Sequence, residues 1–159
     1  GLMVKNYNGV YVPGRYVNGF MKLKNILEPL DVVITKAYWG EGKRASLLTS
    51  YRIAILKDGK FYEIGKVSTG LKEKGNGLTY WDMTRMLKSL TIKTKGKEVD
   101  VKPEIVIEVG YEEIQKSPSY SSGLALRFPR FLRLRNDKSV KEISDMDMVM
   151  RIHNLQKKK

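Results

Sequence analysis

The sequence predicts a mainly β protein, an antiparallel barrel with one inserted helix and one C-terminal helix. Three observations lead there. Apolar runs of strand length recur through the first half, the turn signal Asp58-Gly59 separates two of them, and only two stretches keep helical spacing. The 159 residues suffice for one ordinary domain, or one domain with a short arm, and 42% hydrophobic content is enough to bury a core. Lysines and arginines number 30 against 17 acidic residues, a net charge of +13. That balance points to a polyanionic partner: nucleic acid, a phosphorylated ligand or an anionic membrane surface. With no cysteine there is no disulfide, thiolate-held zinc or thiol nucleophile, and the single histidine, His153, cannot build a His-rich metal site. No apolar run approaches the ~18 residues that cross a bilayer.

Taken in order, residues 1 to 19 are rich in Gly, Asn and Tyr, turn at Pro13-Gly14, and read as an arm rather than core. Gly1-Leu2 ahead of Met3 reads as a cloning remnant, and no signal-peptide core follows, so an intracellular protein is expected. Phe20 to Lys24 is a short strand with Lys22 and Lys24 on one side. Asp31 to Trp39 is nearly continuous apolar and β-branched, as a buried strand requires. Gly40 to Arg44 reads as an exposed basic loop, and Tyr51, Ile53 and Ile55 alternate into the Asp58-Gly59 hairpin and Phe61 to Val67. Met83, Met86, Leu87 and Leu90 keep helical spacing behind a capping box of Thr79 and Asp82. Strand character resumes from Ile105 to Val109. Leu124 to Arg135 reads as one last strand, with Leu124, Leu126, Phe128, Leu132 and Leu134 on one face and Arg127, Arg133 and Arg135 on the other. Pro129 marks an edge or bulge in it. A helix from about Ser144 carries Met148, Ile152 and Leu155 on one stripe, with His153 at the surface and Lys157 to Lys159 as a solvated tail. Five or six strands with these two helices and basic strand faces suggest an OB-fold.

Several groups invite a chemical reading. Lys22 and Lys24, two apart on a strand, aim two ammonium groups at one volume where a phosphate could sit; a solvated lysine face is the plainer reading. Lys43 and Arg44 follow glycines and could grip a nucleic-acid phosphate, though the spacing is not that of a phosphate loop. Arg127, Arg130, Arg133, Arg135 and Lys138 fall within twelve residues. Three arginines stacked on one strand face repel one another unless anions meet them, which favours an anion-binding role. Asp137 sits between Arg135 and Lys138 and could orient either, or cap a turn.

Phe20 to Lys24, Asp31 to Ile34 leading to Gly42-Lys43-Arg44, Lys66 to Gly70, Pro103 with Glu108-Val109, Ser117 to Tyr120, Leu126 to Phe131 and Arg135 to Lys138 occur in a telling order. Over about residues 11 to 156 the chain resembles the C-terminal OB-fold region of ATP-dependent DNA ligases of the archaeal and eukaryotic type. The resemblance implies that residues 1–28 are an arm and the last strand of the adenylation domain, bearing motif V, and that residues 29–159 are the OB-fold domain, bearing motif VI. Lys22 and Lys24 would contact the nucleotide α-phosphate; Arg135, Asp137 and Lys138 would orient the ATP β- and γ-phosphates. Arg127-Phe128 resembles a pair that enters the DNA minor groove, while strand alternation puts Phe128 in the core unless Pro129 makes a bulge. Lys43, Arg44, Arg130 and Arg133 complete the expected DNA contacts.

Departures from the family are equally informative. The nucleophilic Lys-x-Asp-Gly is absent, since Lys57-Asp58-Gly59 lacks the intervening residue, and so are the acidic metal-binding motifs. Phe20 stands where the family usually has tryptophan, and Lys72 to Gly77 looks like a loop extension. The chain is therefore expected to be a catalytically incompetent piece of a ligase. ATP and magnesium would serve the whole enzyme, with none held by this piece alone. The expected partners are nicked duplex DNA and the adenylation and DNA-binding domains of the same ligase, with a sliding clamp left open and no membrane. The location would be cytoplasmic in an archaeon or nuclear in a eukaryote. Two other readings fit the barrel and charge: a non-enzymatic OB module binding nucleic acid, and the OB domain of an mRNA capping enzyme.

Overall fold

Residues 2–10, 12–14, 19–23 and 27–156 are described by the computed structural model. Two helices and eleven strands occur among them. β1 (Leu2–Lys5) pairs antiparallel with β2 (Phe20–Leu23), placing Met3 opposite Lys22. The strand in the arm has no sequence signal beyond Leu2-Met3-Val4, and its residues are all exposed. Lys22 lies in β2, but its side chain, like the whole of Lys24 and the tail from Lys157, is outside the described residues.

The main sheet is organised around β3 (Leu30–Trp39), which pairs with β4 (Leu48–Lys57), β7 (Glu98–Val101) and β8 (Val106–Gly110), all antiparallel. β3 is apolar nearly throughout because both of its faces are covered. Leu30, Val32, Ile34 and Ala37 enter the main core, whereas Val33 meets Ala54, Val106 and Ile143 on the other side. Asp58 (φ 50°) and Gly59 (φ 73°) form the expected tight turn from β4 into β5 (Lys60–Val67). The helix α1 (Tyr80–Ser89) follows with both halves of the capping box made, Thr79 accepting from the Asp82 amide and Asp82 from the Thr79 amide. β6 (Thr91–Lys95) pairs with β7, and β9 (Glu113–Lys116) with β10 (Leu124–Arg127). β6 and β9 carry one apolar residue each among polar and charged ones. β7 alternates Val99 and Val101 with acidic residues over only four positions, too short a run to stand out as a strand.

The stretch expected as one last strand is two. β10 ends at Arg127, Phe128 takes a left-handed backbone (φ 49°), and β11 (Arg130–Leu134) starts afresh against β8. The break reverses the expected facing: Phe128 is 66% exposed, Phe131 is buried in its place, and Leu132 is exposed. Gly70 makes room for this corner, since a Cβ there would lie 2.2 Å from the Phe131 carbonyl oxygen at a φ of +107°. Arg127, Arg133 and Arg135 accordingly do not stack on one face; they sit on β10, on β11 and just past the end of β11.

The C-terminal helix α2 spans Met146–Gln156, with the Asp145 carboxylate accepting from the Met148 amide at 2.8 Å. Its buried residues are Val149, Ile152 and His153, while Leu155 is exposed. His153 is thus interior, not surface, because the helix turns the 149–153 stripe onto the barrel. One turn further along, Gln156 pairs like a strand with β9, accepting from the Ile114 amide at 3.0 Å and donating to its carbonyl at 3.4 Å. Among the described residues no helix is long and apolar enough to cross a membrane.

Candidate nucleotide and nucleic-acid interface

Two cation groups flank β11. Phe128 precedes its first residue and Arg135 follows its last, so the strand holds them about 20 Å apart.

At the far end, Arg135 is only 11% exposed at its side chain. Nη1 donates to Asp31 on β3 at 2.8 Å and to Glu108 on β8 at 3.3 Å. Its other edge, Nε and Nη2, holds both oxygens of Asp137 at 2.9 and 2.8 Å. Lys138 donates from Nζ to the second oxygen of Asp31 at 2.6 Å, and Arg133 makes a two-pronged pair with Glu108 at 2.9 Å for each contact. Three cations therefore meet three carboxylates. The anions expected to relieve the arginine repulsion come from this chain's own β3 and β8.

Main-chain bonds fix this cluster. The Ser144 hydroxyl accepts from the Asp31 amide at 3.0 Å and the Ser144 amide donates to the Asp31 carbonyl at 2.9 Å. The Arg135 amide reaches back to the Val106 carbonyl at 2.9 Å, and Lys138 closes a turn on the Arg135 carbonyl at 3.1 Å. Asp137 is pushed down to about 2 by the Arg135 guanidinium, and Glu108 is held below the usual carboxylate range mainly by Arg133. Arg135 is pushed up, above all by Asp137.

Chemically, the pieces differ. Arg135 has nearly all its donors committed, and two of its three acceptors are mostly buried. Lys138, about one-third exposed, keeps two N–H groups beyond its bond to Asp31. Asp137 is 62% exposed and covers the guanidinium edge that a phosphate would take in the same two-pronged way. A shallow cavity of about 440 Å³ opens beside Lys138, lined also by Asp31, Glu108, Glu142 and Asp145.

At the near end, Arg127 is half-exposed, pairs with Glu113 at 3.2 Å and lies 5.3 Å from the Phe128 ring. Arg130 is exposed at the start of β11. Lys43 and Arg44 lie in a single exposed 3-10 turn, Gly42–Arg44, as the basic loop required. Arg44 pairs with Glu73 and sits over the Tyr80 ring at 5.3 Å. Arg133, expected beside these groups, lies at the other end of the strand with Glu108. A residue that the sequence reading passed over is Trp81, 61% exposed on α1. Its position at i−4 from Arg85 and opposite the buried Met83 and Leu87 was a signal for it.

Fold and site together define an OB-type barrel presenting cations at both ends of one strand. The family described as "ATP dependent DNA ligase C terminal region" matches residues 44–138. A DNA ligase of Nanoarchaeum equitans is 51% identical over 99% of this chain, and one of Methanothrix thermoacetophila 45% identical over 99%. The chain spans 29% and 28% of those relatives' lengths. Among solved structures, the ligase domain of M. tuberculosis LigD is similar at a TM-score of 0.60 and 28% identity, covering 89% of this chain and 46% of that one. A mycobacterial DNA ligase D complexed with ATP and MES is similar at 0.57 and 25% identity, covering 90% of this chain and 46% of that one. The chain belongs to the ATP-dependent DNA ligase family, and corresponds to its C-terminal OB-fold region.

Proposed function

We propose that this chain is the part of a nick-sealing ligase that first orients ATP and then closes on DNA. The carrying observation is the separation of two cation groups by β11, one built on carboxylates and one beside an outward-turned phenylalanine. In this reading residues 1–28 complete the adenylation domain and residues 29–159 are the mobile OB domain. Lys22 and Lys24 contact the α-phosphate. Lys138 approaches the β- and γ-phosphates, Arg135 accepts a phosphate once Asp137 swings away, and Arg133 supports that end. Arg127, Phe128, Arg130, Lys43 and Arg44 meet the minor groove and its phosphates beside the nick.

Joining of a 5′-phosphate to a 3′-hydroxyl through enzyme-AMP and DNA-AMP belongs to the whole enzyme, as do ATP, magnesium and any sliding-clamp contact. Its place is inside the cell, with the DNA. The family assignment favours this reading over a capping enzyme or a free-standing OB module.

The test is transfer of labelled AMP. Incubated with ATP and magnesium, the chain alone stays unlabelled, since no Lys-x-Asp-Gly is present. Added to an adenylation domain from a close relative, it raises labelling of that domain. Label on this chain, or no stimulation, would refute the proposal.

A further inference from the structure

Helix α1 has one face that the barrel leaves uncovered. Tyr80, Met83, Thr84 and Leu87 are buried, whereas Trp81, Arg85 and Lys88 are all exposed. Spaced i, i+4 and i+7, these three lie one above the other on a single stripe. An indole left 61% exposed is a large apolar surface that contact would remove from water.

The surroundings of the stripe are cationic. Lys72 and Lys74 are exposed in the turn that leads into α1, and Lys43 and Arg44 in the turn after β3. The nearby carboxylates are engaged: Asp82 caps Thr79 and meets Arg85 at 3.3 Å, and Glu73 holds Arg44. Placement follows from the turn after β5. The Tyr80 hydroxyl donates to the Ser68 carbonyl at 3.1 Å, and the next residue, Thr69, accepts from the Phe131 amide at 2.9 Å and donates to the Pro129 carbonyl at 3.4 Å. One short turn therefore ties the start of α1 to the corner that exposes Phe128.

We propose that Trp81, Arg85 and Lys88 form a second contact with duplex DNA, continuous with the Arg127–Phe128 edge. Trp81 packs its ring against the sugar edges of a groove, and Arg85 and Lys88 meet phosphates of the flanking strand. Charge decides the occupant: a second copy of this chain would bring another +13, whereas DNA brings the opposite sign. The inference rests on the DNA-closing reading above and adds a place on the duplex beyond the nick.

Its test uses this chain and a nicked duplex carrying a fluorescent end label, at low salt. Label anisotropy reports binding, and the difference in emission between the wild-type chain and Trp81→Phe isolates Trp81 from Trp39. On DNA addition, Trp81 emission changes and becomes shielded from acrylamide. Trp81→Ala weakens binding about five- to tenfold while its thermal unfolding stays that of the wild type. Arg85→Gln lowers affinity and flattens its salt dependence. If anisotropy reports binding while Trp81 stays open to acrylamide and Trp81→Ala binds as the wild type does, the stripe is not a DNA contact and the DNA-closing reading survives. If anisotropy reports no binding, the DNA-closing reading itself fails and takes this inference with it. Shielding that grows with protein concentration without DNA would assign the stripe to self-association and overturn the proposal.

Discussion

The Arg135 guanidinium meets both oxygens of Asp137 and holds that carboxyl at about 2. A folded value below the unfolded one, ~3.9 for aspartate, gives stabilisation that is complete above that pH and is lost as pH falls through the folded value. Carboxyl carbon NMR should therefore place the Asp137 midpoint near 2; an ordinary midpoint would mean that the pair is absent in solution. Phe128 and Phe131 make a second contrast. Phe131 is buried, so Phe131→Ala should cost ~3–5 kcal/mol in denaturant unfolding. Phe128 is exposed, and Phe128→Ala should change stability by less than ~0.5 kcal/mol while weakening DNA closure. Equal losses would return Phe128 to the core.

The corner between β10 and β11 depends on Gly70. Gly70→Ala would set a Cβ 2.2 Å from the Phe131 carbonyl oxygen at a φ that alanine rarely adopts, and should destabilise by at least ~2 kcal/mol in the same assay. Thr79→Ala removes one half of the α1 capping box and should cost ~1 kcal/mol. The elements most legible from sequence were those with a strong local cause. β3 is apolar on two faces, Asp58-Gly59 fits a tight turn, and Thr79 with Asp82 caps a helix. Those that were not legible have tertiary causes. β6, β7 and β9 are short pairing strands with charged residues, and α2 turns toward the barrel along Val149, Ile152 and His153 rather than toward Leu155. Phe128 followed the alternation of its neighbours on paper, and only a left-handed backbone beside Pro129 breaks it.

In the molecule as a whole, the proposed closing on DNA together with a charge of +13 predicts that phosphate contact is the largest source of affinity, with log affinity falling with log salt by about 0.9 per phosphate engaged. The basic motifs of the site were legible in sequence; their counter-charges were not, because Asp31 and Glu108 lie 104 and 27 residues from Arg135 along the chain. Those carboxylates divide the work at that end, leaving Lys138 freer than Arg135 to meet a phosphate. The decisive comparison uses a ligase reconstituted from this chain and a matching adenylation portion, and assays two steps separately: AMP transfer to the enzyme, and sealing of a nick that already carries AMP. Lys138→Ala should slow the first by about one to two orders of magnitude, the worth of one charge-assisted contact of ~1.5–3 kcal/mol, and leave the second nearly unchanged. Phe128→Ala should do the reverse. If Lys138→Ala slows both steps equally, the two ends of β11 do not serve separate steps, and the carboxylate-held cations serve the fold or the DNA instead.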